Sequence, residues 1–215
     1  MSQKGPQGVK MNSTAFEDEK QSSKVMKVAI KIIQDRVENS KSDRMNVAAL
    51  AKQCEVSRAW IYKNFGASNE KIILTSIDIL APTLTAAVRD PEVWRSAGAG
   101  GWVAETMKSF ELTLQQVHND PAIFQFYITH RLQPTEIGRH LAHHESRFIS
   151  HVVRRQVELS NNTLDVKVTT LVAEYLAAVR TGFVFKWLSS PQISLEDKTN
   201  ELRGLSHFIS LASKM

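Results

Sequence analysis

Ser57, Trp60 and Asn64 recur at the i, i+3, i+7 spacing that aligns three side chains on one side of a helix, and Arg58, Tyr62 and Lys63 lie among them. A hydroxyl, an indole N–H, a carboxamide, a phenol and two cations within eight residues make a set of donors and positive charge suited to holding a polyanion. A second pairing is His140 with His144, one helical turn apart, by which one helix can offer two imidazoles to a metal ion. Glu136 stands one turn earlier, and His151 is roughly 10 Å further along at the helical rise, too far to join the same ion. A complete site needs ligands from another element, and no HExxH order is present. No Ser-His-Asp or cysteine-nucleophile pattern stands out either, so no catalytic residue, metal or cofactor is assigned.

The residues around this polar set must position it. Val47, Leu50, Ala51 and Cys54 give two turns of apolar stripe with Asn46 placed to cap them, and Ile61 and Phe65 give a second short stripe opened by Ser57 and ended by Gly66. Two helices of about two turns each are too short to stand alone. They must lean on a first helix, from Ser23 to near Asn39 with Met26, Ala29, Ile30, Ile33 and Val37 inward, and on a fourth that starts at Ser68. Val47, Leu50, Ala51, Val56, Ile61 and Phe65 then face a shared core and Ser57, Trp60 and Asn64 face out, which is the logic of a helix-turn-helix head built to enter a major groove. The plainer reading of Trp60 packs it partly against the first helix, and that of Tyr62 makes it a structural ring.

Charge is placed in the same segment. Residues 20–72 carry eleven lysines and arginines against five acids, whereas residues 73–215 carry fourteen of each, so the net +5 of the chain originates in about fifty residues. The amino terminus lacks the apolar segment of a secretory signal and no run of about 18 apolar residues occurs, which predicts a cytoplasmic protein without a membrane span. Cys54 is the single cysteine, excludes an intramolecular disulfide, and is expected to pack rather than react.

The run VAALAKQCEVSRAWIYKNFGASNEKI resembles the amino-terminal signature of the tetracycline-repressor family of bacterial transcription regulators. Leu50 and Ala51 match that family's aliphatic-alanine pair, Val56 and Ser57 its valine-serine turn, and Tyr62 and Phe65 its spaced aromatic pair. Glu55 stands where a turn glycine is usual and Cys54 where alanine is common. Asn69 stands where a phosphate-binding lysine often opens the fourth helix, with Lys71 as its substitute. The resemblance is specific over residues 23–74 and architectural beyond them. It implies that Tyr62 and Asn64 meet phosphates, that Arg58, Trp60 and Lys63 lie where base or backbone contacts are made, and that Asn46 directs its helix terminus at a phosphate; the Trp60 edge suits a thymine methyl.

Further helical patterns follow at roughly 68–89, with Pro82 expected to kink the chain, then at 102–118, 121–132, 135–160, 164–189 and 194–213, and no strand alternation is visible. The expectation is an all-α protein: a flexible arm over 1–20, a helix-turn-helix domain over 21–72, and a ligand-binding and dimerisation domain over 73–215. Trp102, Phe110, Phe124, Tyr127, His130, His144 and Phe148 are the candidates to line a pocket for an apolar or amphipathic effector. The last two helices carry apolar residues around much of their girth, from Leu171 and Tyr175 to Trp187 and from Leu202 to Ala212, more than one chain covers, which predicts a homodimer through a four-helix interface. The resemblance implies the same interface and a repressor, released by its ligand, on a palindromic double-stranded operator. The competing reading is an all-α metal-binding protein or enzyme that uses the His140/His144 face.

Overall fold

The computed structural model describes residues 13–39, 45–84, 101–159 and 165–212, and every regular element among them is an α-helix. In chain order these are α1 (Ser13–Glu38), α2 (Val47–Gln53), α3 (Arg58–Phe65), α4 (Asn69–Leu84), α5 (Gly101–Asn119), α6 (Pro121–His130), α7 (Glu136–Leu159), α8 (Val166–Ser189) and α9 (Leu195–Ala212). The all-α class is as expected.

Two boundaries differ from the sequence reading. α1 starts at Ser13 rather than Ser23, so residues 13–20 of the expected arm are helical and residues 1–12 lie outside the described residues. Propagating an existing helix adds one hydrogen bond per residue without a new nucleation step, and the polar segment ahead of Ser23 has no Gly or Pro after residue 12 to stop it. At the other end, α4 is described to Leu84, with Pro82 in its last turn, and residues 85–89 lie outside the described residues.

The buried face of α1 is also rotated from expectation. Val28, Ala29, Ile32 and Ile33 are buried while Met26, Ile30 and Val37 are half-buried, because α1 packs on α6 as well as on α4. A helix wedged between two neighbours needs a wider stripe than one facing a single partner. As a result one apolar cluster runs from Val47, Leu50, Ile61 and Phe65 through Ile72 and Ile77 to Phe110, Phe124 and Trp187.

The link between α2 and α3 is tight and fully bonded. Val56 N–H donates to Ala51 C=O at 2.9 Å and Glu55 N–H to Lys52 C=O at 3.3 Å, the 6→1 and 5→2 pair of a Schellman end. That geometry needs a left-handed residue, and Glu55 supplies it at φ +53°, the one such non-glycine residue among those described. After α3 the chain turns at Gly66, with φ +109°, where a Cβ would run into the Cγ of Lys71. Ser68 then caps α4, its Oγ accepting from Lys71 N–H at 3.2 Å.

Candidate nucleic-acid interface

α3 is capped at both ends as the sequence requires. Ser57 Oγ accepts from Trp60 N–H at 3.1 Å, and Gly66 N–H donates to Tyr62 C=O at 3.0 Å. Asn46 does the same for α2, its Oδ1 accepting from Ala49 N–H at 3.1 Å. Ile61 and Phe65 are the buried side of α3, both sealed almost completely from solvent.

With Ile61 and Phe65 inward, 100° per residue sets the opposite side at Ala59 and Lys63; both are exposed, as are Tyr62 on one flank and Arg58 in the first turn. The expected outward set of Ser57, Trp60 and Asn64 is therefore only partly outward: Ser57 is exposed, but Trp60 and Asn64 are half-buried on the flank. The Trp60 ring centroid sits 6.2 Å from that of Phe65, with Lys24 Nζ of α1 at 5.4 Å from the indole. Asn64 turns back on its own helix, its Nδ2 donating to Trp60 C=O at 2.8 Å. Lys52 of α2 and Lys71 of α4, whose side chain passes Gly66 at the end of α3, are also exposed. Arg58, Lys63, Lys52 and Lys71 are thus exposed cations of α2, α3 and α4, and the Tyr62 phenol is 43% exposed.

The ligand candidates are placed less uniformly. Phe110 and Phe124 are sealed core residues, Phe110 edge-on to Phe183 at 6.1 Å. Tyr127 is buried, and Phe148 is half-buried with the Arg180 guanidinium 5.6 Å over its ring. His130 stacks on Phe126 at 4.5 Å and meets Gln133 Oε1 through Nδ1 at 3.1 Å. His144 lies at the α4–α7 seam, where its Nε2 is 2.8 Å from Asp78 Oδ1, rather than among the aromatic rings. The side chain of Trp102 lies outside the described residues. A cleft of about 270 Å³ opens instead between α5 and α9, lined by Met107, Glu111, Leu114, Leu202 and Arg203 among others, and none of the named candidates is in its wall.

Charged groups inside the helical bundle add a feature that apolar periodicity does not reveal. Arg131 Nη2 donates to both Glu145 oxygens, at 3.0 and 3.2 Å, joining the end of α6 to α7, and the Arg131 guanidinium lies 5.4 Å over the Tyr127 ring. Arg180 projects from α8 into the same region and is 5% exposed; burial pulls its guanidinium below the usual range, opposed by Tyr127 and Glu145. Burial, then the Glu145 carboxylate, push the Tyr127 phenol up, and its hydroxyl closes no regular hydrogen bond. A sequence signal exists for Arg180 and for Asp78: each is a lone charge in an apolar run, AAVRTGF and TSIDILA. Cys54 is half-buried, and burial raises its thiol, which keeps it in the less reactive protonated form.

α8 is the one described helix long and apolar enough to cross a bilayer by length and composition, and only a small part of it is buried within the chain. Its exposed residues include Leu171, Val172, Tyr175, Val179 and Phe185. Glu174, Arg180 and Lys186 interrupt the run, and α8 packs on α5, α6 and α7. Those three charges are why no uninterrupted apolar run is visible in the sequence.

No protein-family model matches the chain, and no curated protein matches it.

Proposed function

We propose that the chain is a sequence-specific DNA-binding transcription regulator of the tetracycline-repressor kind, acting as a homodimer on a palindromic operator and released by a small amphipathic effector. One observation carries the reading: α3 is a capped, two-turn helix whose buried residues are only Ile61 and Phe65 and whose exposed residues are Arg58, Ala59, Tyr62 and Lys63. A helix held so shallowly can enter a groove about 12 Å wide, and its cations can neutralise phosphates on either wall. This outward set shifts the weight of recognition from Asn64 to Arg58, Tyr62 and Lys63, with Trp60 reaching the groove by its edge. The exposed apolar side of α8 is the surface the second subunit would cover.

The test is selection of bound duplexes from a random pool by the full chain. An inverted repeat should be enriched, and Tyr62→Ala with Lys63→Ala should abolish enrichment while the protein remains dimeric by light scattering. Absence of any enriched sequence at low salt would remove the regulator reading.

A further inference from the structure

The seam between α4 and α7 holds a constellation that DNA recognition does not use. Asp78 Oδ1 lies 2.8 Å from Nε2 of His140 and 2.8 Å from Nε2 of His144, and the three ligand atoms fall within 4.8 Å of one another. The two imidazoles come from successive turns of α7, with ring centroids 5.0 Å apart, and the carboxylate comes from α4. Two histidines on one helix are an incomplete ligand set; the fold supplies the third member from 62 residues away. We propose that Asp78, His140 and His144 bind a first-row divalent transition cation, with zinc as the reference chemistry.

The donor set selects the class of ion. Two imidazole nitrogens and a carboxylate suit Zn²⁺, Co²⁺ or Fe²⁺, whereas Mg²⁺ and Ca²⁺ prefer shells of oxygen. Bonds of about 2.0–2.1 Å in a tetrahedron separate ligand atoms by roughly 3.3 Å, so each oxygen–nitrogen distance must widen by about half an ångström. Asp78 can make that shift, being 49% exposed, while the imidazoles are held more firmly at 28% and 18%. The same exposure leaves an open side for a water or a fourth ligand. Hydrogen bonding alone would require both rings to carry their proton on Nε2 and aim it at a single oxygen, which constrains two tautomers at once. A cation satisfies all three groups by lone pairs.

The position gives the ion a consequence. α4 packs on α1 and α3 as well as on α7, so an ion bridging Asp78 to α7 ties the helix that supports α3 to the larger bundle. Resting on the regulator reading, such a bridge sets the separation of two DNA-reading heads and makes the cation an input beside the organic effector.

The experiment uses the full chain dialysed against a chelator and then titrated with Co²⁺, read by its visible ligand-field bands, and with Zn²⁺, read by calorimetry. One ion per chain should bind. Asp78→Asn, which keeps an acceptor for an imidazole, and His144→Ala should each weaken binding by more than the roughly 10–100-fold that loss of an outer-shell partner costs, at unchanged helical circular dichroism. His151→Ala, exposed and remote along α7, should leave the titration unaltered. No saturable binding, or binding equally strong in Asp78→Asn and His144→Ala, overturns the site. With a selected duplex, saturating Zn²⁺ should change DNA affinity by roughly 5–150-fold and do nothing in Asp78→Asn. A duplex left unbound with or without metal counts against the regulator reading alone, since the metal titration is read without DNA.

Discussion

Asn64 donates its side-chain amide to the carbonyl oxygen of Trp60 at 2.8 Å, one turn back along the same helix. This bond occupies one side-chain amide donor of Asn64, whereas Arg58 and Lys63, the cations of α3, are exposed. Arg58→Ala and Lys63→Ala should each weaken binding to a selected duplex. Removing one phosphate-neutralising cation from each of two heads should lower the slope of log K against log salt by about 1.8, at about 0.9 per phosphate. Asn64→Ala should cost less than either. Fluorescence anisotropy across a salt series reads all three, and equal weakening in Asn64→Ala and Lys63→Ala would contradict the assigned face.

Glu55 holds a left-handed backbone to end α2, a conformation that costs a residue with a Cβ about 1 kcal/mol relative to glycine. Glu55→Gly should therefore raise stability by about 0.5–1 kcal/mol, seen as a higher urea midpoint, since the gain outweighs the extra freedom glycine has in the unfolded chain. Glu55→Val should lower it, because a β-branched side chain tolerates positive φ least.

Inside the bundle, Glu145 is the carboxylate that offsets Arg131 and Arg180. Glu145→Gln should cost about 2–4 kcal/mol by leaving buried positive charge less compensated. Tyr127→Phe should instead be neutral or stabilise by up to about 1 kcal/mol, as it deletes a buried hydroxyl that makes no regular hydrogen bond.

The same tyrosine gives a pH dependence. Burial and the Glu145 carboxylate raise its pKa above the ordinary phenol value of about 10, so above that pH the native chain keeps a proton the unfolded chain releases. Its contribution to stability is complete below about pH 10 and declines as pH rises through the folded value. Urea midpoints measured on both sides of about pH 10 should fall less steeply in Tyr127→Phe than in the parent.

Tyr175 is 65% exposed on α8 between exposed Leu171 and Val179. If that face is the subunit contact, Tyr175→Glu should place uncompensated charge at its centre on both chains and shift the light-scattering mass to one chain without loss of helicity. An unchanged dimer mass would move the interface elsewhere.

Much of the architecture is legible in the sequence because it depends on local order. The 3.6-residue period of the apolar residues locates the helices to within a few positions beyond residue 100, and Ser57, Asn46 and Gly66 announce helix ends because capping acts between residues three or four apart. The inward pair Ile61 and Phe65 follows from the same spacing. The start of α1 is not legible, because a polar helical extension carries no apolar period to read.

Tertiary structure alone decided the rest. How far α3 is rotated, and hence that Trp60 leans on Phe65 and Lys24 while Tyr62 faces out, depends on how α1 and α4 close around it. Asp78 meets His140 and His144, and Arg180 faces Glu145 and Tyr127, only because helices distant in sequence pack side by side. Periodicity specifies which side of a helix turns inward; which neighbour it meets there depends on the packing of all the helices at once, and no local spacing records it.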